Sequence, residues 1–126
     1  MSRVALVVDD SMLVRHTVCR FLEERGFTVE CATNGREALE MLDTLRPDLI
    51  FTDLQMPLMS GSELITTLRS RPELASIPIV VIAGRKTASN TEPQVACNFV
   101  IYKDIDIVQQ LERAITAIMG GSSAQG

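Results

Sequence analysis

Five short aliphatic runs, separated by stretches with helical periodicity, constrain the fold of this chain more than any other feature. The runs cover about residues 3–9, 27–32, 48–53, 78–83 and 98–102. All five are candidate strands, and the first and third, short, rich in aliphatic residues and bounded by polar ones, read as buried strands. Between the first two, Leu13, Val14, Val18, Phe21 and Leu22 recur at helical spacing until Gly26. Asn34 followed by Glu37 resembles a capping box, ahead of an apolar stripe of Ala38, Leu39, Leu42 and Leu45 that Pro47 stops. Ser60 and Glu63 repeat the capping pattern before Leu64, Ile65 and Leu68. A last helix uses Ile107 or Val108, then Leu111, Ala114, Ile115 and Ile118. Five strand–helix units predict an α/β fold: a parallel, doubly wound, five-stranded sheet with helices on both faces. Residues 84–97 hold few large apolar side chains and a Pro at 93, which predicts a short or irregular fourth helix.

A chain of 126 residues, 46% of them hydrophobic, is one domain with a real core. The expected division is a domain over residues 1–119 and a flexible tail over 120–126, opened by Gly120-Gly121. No stretch approaches the roughly 20 apolar residues of a membrane span. The first apolar run ends in two acids, unlike a signal peptide. A net charge of −4, from 12 basic and 16 acidic residues, argues against direct nucleic-acid binding. Cys19, Cys31 and Cys97 show neither metal-ligand spacing nor a disulfide framework. Reduced, mostly buried thiols in a cytoplasmic protein are the expectation.

Three aspartates carry the functional signal. Asp9 and Asp10 follow the first run, and Asp53 closes the third. Ligands of open parallel sheets bind beyond the carboxyl ends of the strands. If both strands share one sheet, the three carboxylates meet at that edge. Their mutual repulsion falls when a hard divalent cation binds between them, so the pattern predicts an acidic Mg²⁺ pocket with one carboxylate free to react. The plainer alternatives are that Asp9 and Asp10 only serve a helix N-terminus, and that Asp53 is a solvated strand end. His16 is expected at the surface, and Met12, Met56 and Met59 are expected to fill gaps around the pocket mouth.

The segments Val7-Val8-Asp9-Asp10-Ser11, Pro47 through Gly61, and Lys103 together resemble the receiver domain of two-component response regulators, over about residues 3–119. The resemblance implies a flavodoxin-like (βα)5 fold with strand order 2-1-3-4-5. It implies that Asp53 is the phosphoacceptor, served by a histidine kinase or phosphotransfer protein. It further implies that Asp10, Asp53, the main-chain carbonyl of Gln55 and, through water, Asp9 hold Mg²⁺. Lys103 would pair with the phosphoryl oxygens, while Pro57 and Gly61 would shape the turn after the site. An acceptor of this kind is not expected to turn over a separate substrate. A downstream protein target would use the 84–119 face, and the chain would be a monomer or weak homodimer.

Three positions depart from the family pattern. Ala83 stands where a Thr or Ser contacts the phosphoryl group, Val100 where a Tyr or Phe acts as a switch, and Asp104 where a Pro follows the lysine. Without Pro the peptide after Lys103 is expected to be trans. Phe99 and Tyr102 are expected to point away from the side occupied by Val100. Arg85 is a candidate substitute for the missing hydroxyl. These departures predict retained phosphotransfer chemistry with an atypical switch. The rival reading is a phosphorylation-independent interaction module on the same fold. A Mg²⁺-dependent phosphatase is a weaker rival, because no second acid follows Asp53 at short spacing.

Overall fold

The structure is a computed structural model that describes residues 3–54, 56, 58–84, 97–103 and 106–120. Strands β1 (Arg3–Val8), β2 (Phe27–Ala32), β3 (Leu49–Asp53), β4 (Ile79–Ala83) and β5 (Phe99–Tyr102) form one parallel sheet in the order β2-β1-β3-β4-β5. The expected order is therefore the observed one. Helices α1 (Met12–Glu23), α2 (Gly35–Met41) and α3 (Gly61–Ser70) follow β1, β2 and β3, α4 (Ile107–Ile115) follows β5, and a π-helical turn, Thr116–Gly120, extends α4. The chain reverses its winding between β1 and β3. A crevice opens there, beyond the strand ends.

Strand alternation sends side chains to two separate cores. Ala5, Val7, Phe51, Val80 and Ile82 meet Val18, Phe21, Leu22, Leu111 and Ala114 under α1 and α4. Leu6, Val8, Ile50, Ile79 and Val81 meet Ala38, Leu42, Leu64, Ile65 and Leu68 under α2 and α3. Burial on both sides over most of β1, β3 and β4 explains why their runs in the sequence are continuous, whereas the edge strand β2 exposes Thr28, Glu30 and Cys31.

The helix starts are set locally. Ser11 caps α1, its hydroxyl accepting from the Val14 N–H at 3.3 Å. Ser60 and Glu63 form the expected capping box at α3. At α2 the box is displaced by one residue. Asn34 accepts from the Glu37 N–H, but the Glu37 carboxylate accepts from the N–H and hydroxyl of Thr33. Those bonds hold the Glu37 carboxyl below its ordinary value. Helix α2 ends at Met41, before the expected stop at Pro47, and the guanidinium of Arg46 donates to the Leu42 carbonyl. The irregular fourth helix expected at 84–97 falls almost wholly outside the described residues, as do Arg85 and the tail beyond Gly120.

Candidate functional site

The crevice brings together the carboxylates of Asp9, Asp10 and Asp53, each with one oxygen within 4.8 Å of the others. Asp9 is fully buried and Asp53 is 5% exposed, whereas Asp10 faces solvent. Asp53 Oδ1 accepts from the Leu54 N–H at 2.7 Å, and Oδ2 accepts from Lys103 Nζ at 3.0 Å. The Asp53 carbonyl accepts from the hydroxyl of Thr52, a buried polar residue on the same strand. Asp9 Oδ1 accepts from the Ser11 N–H at 2.8 Å. Its Oδ2 lies 3.3 Å from Lys103 Nζ, yet it is buried without a well-formed hydrogen bond. The ammonium is aimed at Asp53, so Asp9 receives its charge but not a good bond.

Burial pushes the Asp9 carboxyl above its usual value; the Ser11 N–H opposes this, the Asp53 charge adds to it, and Lys103 offsets part. For Lys103, burial alone would lower the ammonium pKa. The hydrogen bond to Asp53 and the charges of Asp9 and Asp53 outweigh burial and raise it. The Lys103 pairing thus contributes stability fully below its ordinary value of 10.5 and loses it as pH climbs through the raised value.

Asp9 Oδ2 is fully buried among three acids with no hydrogen bond and a share of the Lys103 charge, so a second cation entering the cluster would lower the remaining repulsion. The donors are hard anionic oxygens with an open side at Asp10, which suits a Mg²⁺-like ion that keeps several waters. Gln55 and Pro57 lie outside the described residues, as does Asp104 with its peptide.

Gly61 closes the site from below. Its N–H donates to the Leu54 carbonyl at 2.8 Å, and a Cβ built on it would sit 1.9 Å from the Asp53 carbonyl oxygen. Helix α3 can therefore start against the back of Asp53 only with glycine there. In the intervening loop Leu58 has φ of +70° and is 72% exposed.

The sequence model of the response regulator receiver domain matches residues 5–115. The chain belongs to this family. Response regulator MprA of Mycobacterium ulcerans (strain Agy99) is 43% identical over 89 residues, which is 71% of this chain and 38% of that protein. The chain thus spans well under half the length of this relative. Chemotaxis response regulator CheY4 of Vibrio cholerae superposes with a TM-score of 0.84 at 27% identity, covering 94% of this chain and all of that one. The receiver domain of sensor histidine kinase PA1611 from Pseudomonas aeruginosa PAO1, solved with magnesium in its active-site cleft, superposes with a TM-score of 0.84. It is 20% identical and covers 95% and 99% of the two chains.

In this receiver domain the register places Ile82 beside Asp53, so Ala83 is the last β4 residue at the crevice and presents only a methyl group. Val100 is half-buried against the core under α2 and α3, and Phe99 packs on the opposite core as expected. Tyr102 corrects the expectation: it lies two residues from Val100 on β5 and so shares its sheet face. Met56 and Met59 pack on the α2–α3 core, but Met12 is 75% exposed and fills no gap. His16 is exposed.

Several supporting residues escaped the sequence reading. Arg15 Nη1 donates to the Asp9 carbonyl at 2.7 Å, which ties α1 to the acid pair. Gln110 on α4 donates to the Tyr102 carbonyl and accepts from its N–H, while the Lys103 N–H donates to the Ala83 carbonyl. The backbone that carries Lys103 is thereby held from both sides. Ser11 had a readable signal, a serine directly before an apolar-periodic helix. Arg15 and Gln110 had none.

Asp9→Asn is expected to raise the melting temperature at neutral pH in the absence of divalent cations, while weakening Mg²⁺ binding by about tenfold or more. The folded pKa of Asp9 lies above its unfolded value, so its ionisation costs stability as pH rises from 3.8 to the raised value and stays costly above it. The gap between variant and parent should close as pH falls below that window. Thermal melts across pH and a Mg²⁺ titration check this; a variant less stable than the parent at neutral pH contradicts it.

Proposed function

We propose that this receiver accepts a phosphoryl group on Asp53 from a histidine kinase or phosphotransfer protein, with Mg²⁺ held by Asp9, Asp10, Asp53 and the Gln55 carbonyl. The observation that carries the reading is the three-carboxylate cluster with Lys103 bonded to Asp53. The Asp53 carboxylate is the nucleophile and forms an acyl phosphate as the donor's P–N bond breaks. Leu54 N–H on Oδ1 sets the carboxylate's orientation. Lys103 moves from the carboxylate oxygen to the phosphoryl oxygens as charge passes to them. Mg²⁺, when bound, neutralises charge on the transferring group. The magnesium in the cleft of the PA1611 receiver supports this assignment.

The signal leaves by an atypical route. Ala83 provides no hydroxyl to the phosphoryl group, and a hydrogen bond to a charged group is worth about 1.5–3 kcal/mol. Val100 provides no aromatic switch. The protein is an acceptor used once per phosphoryl group, acting in the cytoplasm as a monomer or weak homodimer, with a protein target on the 84–119 face.

The test is intact mass after incubation with acetyl phosphate. One added phosphoryl group is expected with Mg²⁺ and none with excess EDTA. Absence of an adduct with acetyl phosphate and with a kinase donor, despite measurable Mg²⁺ binding, would favour the phosphorylation-independent module.

A further inference from the structure

Away from the acidic crevice, Cys19 on α1 and Cys31 on the edge strand β2 bring their sulfurs to 2.9 Å, both as free thiols. Sequence spacing predicted no pairing, and Cys31 is exposed rather than buried. The contact sits on a surface cavity of about 490 Å³ that Arg15, His16 and Arg20 also line. Cys97 packs on the opposite core and takes no part.

We infer that Cys19 and Cys31 form a redox site, in which a hydroperoxide converts the thiol pair into a reversible intramolecular disulfide joining α1 to β2. The sulfurs need to close by only about 0.9 Å to reach bonding distance. In the first step the exposed Cys31 sulfur attacks the peroxide, its O–O bond breaks, the thiol proton goes to the departing oxygen, and Cys31 becomes a sulfenic acid with release of water or an alcohol. In the second, the Cys19 sulfur displaces the sulfenic hydroxyl, the S–S bond forms, and water leaves. Overall, two thiols lose two electrons and two protons to the peroxide.

The environments of the two sulfurs fit this division of roles. Burial pushes the Cys19 thiol up to about 12, with further raising from the hydrogen bond and charge of Cys31. Cys19 therefore stays a thiol while Cys31 meets the oxidant. Of the other charges beside Cys19, Glu23 adds to the raising and the Arg15 guanidinium opposes it.

The test treats the full chain with hydrogen peroxide, blocks free thiols with iodoacetamide and digests with trypsin without reductant. The expected product is residues 16–20 linked to residues 26–36. Oxidation should raise the melting temperature by roughly 5 °C or more, reversed by dithiothreitol. Cys97→Ser should behave as the parent. In Cys19→Ser, Cys31 should stop at a sulfenic acid that dimedone traps. In Cys31→Ser, the remaining Cys19 should react at least about tenfold more slowly than Cys31 does in the parent. Full alkylation of both cysteines after peroxide, or disulfides formed only between molecules, would overturn the inference.

Discussion

Gly61→Ala is expected to cost about 3 kcal/mol or more of folding stability and to impair Asp53 at the same time. Overpacked side chains usually cost about 1–3 kcal/mol because neighbouring side chains can give way. At Gly61 the neighbour is backbone: the added methyl would lie 1.9 Å from the Asp53 carbonyl oxygen and 2.8 Å from Leu54 Cα. Relief requires moving the end of β3 or the start of α3, and either movement stretches the Gly61 N–H to Leu54 bond. The capping box of Ser60 and Glu63 is held in the same turn. Urea denaturation should show the midpoint falling by about 1 M or more, with little change in slope. Phosphoryl uptake should slow, because Asp53 and the Leu54 N–H that orients it share the displaced backbone. An unchanged midpoint would mean that α3 can shift freely, and the glycine would lose its assigned role.

Asp53→Asn is expected to abolish phosphoryl uptake altogether. The carboxamide is nearly the same size and keeps an oxygen to accept from the Leu54 N–H, so the fold should persist. What disappears is the nucleophilic carboxylate and one of the three charges that face a cation. Lys103 loses its charged partner at 3.0 Å but retains Asp9 at 3.3 Å. Asp9 in turn loses a like-charged neighbour. These changes oppose each other, so melting temperature should move far less than activity. Intact mass after acetyl phosphate and Mg²⁺ is the measurement. A stoichiometric adduct on the variant would place the acceptor elsewhere.

The expectations that held are those whose causes are local. Apolar runs of five to seven residues, punctuated by Gly, Asn and Ser, identified the strands and most helix starts. The acids at the ends of β1 and β3 could be placed at one edge because parallel strands in one sheet point the same way. Where expectations slipped, a non-local or competing contact decided the outcome. Thr33 outbid Asn34 for the Glu37 carboxylate, and α2 ended at Met41 although its apolar stripe ran on. Tyr102 is a different case, since alternation along β5 alone places it on the face of Val100.

Taken alone, the sequence determined the α/β architecture, the two-sided burial of β1 and β3, and the meeting of Asp9, Asp10 and Asp53 at the carboxyl edge of the sheet. Periodicity and strand direction are properties of neighbouring residues, so they can be read in order along the chain. The tertiary structure decided the rest: the buried Asp9 oxygen that faces Lys103 without a hydrogen bond, the aim of Lys103 at Asp53, the grip of Gln110 on the end of β5 just before Lys103, and the contact of Cys19 with Cys31. Each depends on the angles and distances at which separate elements pack, and these are set by how the whole core fills its volume.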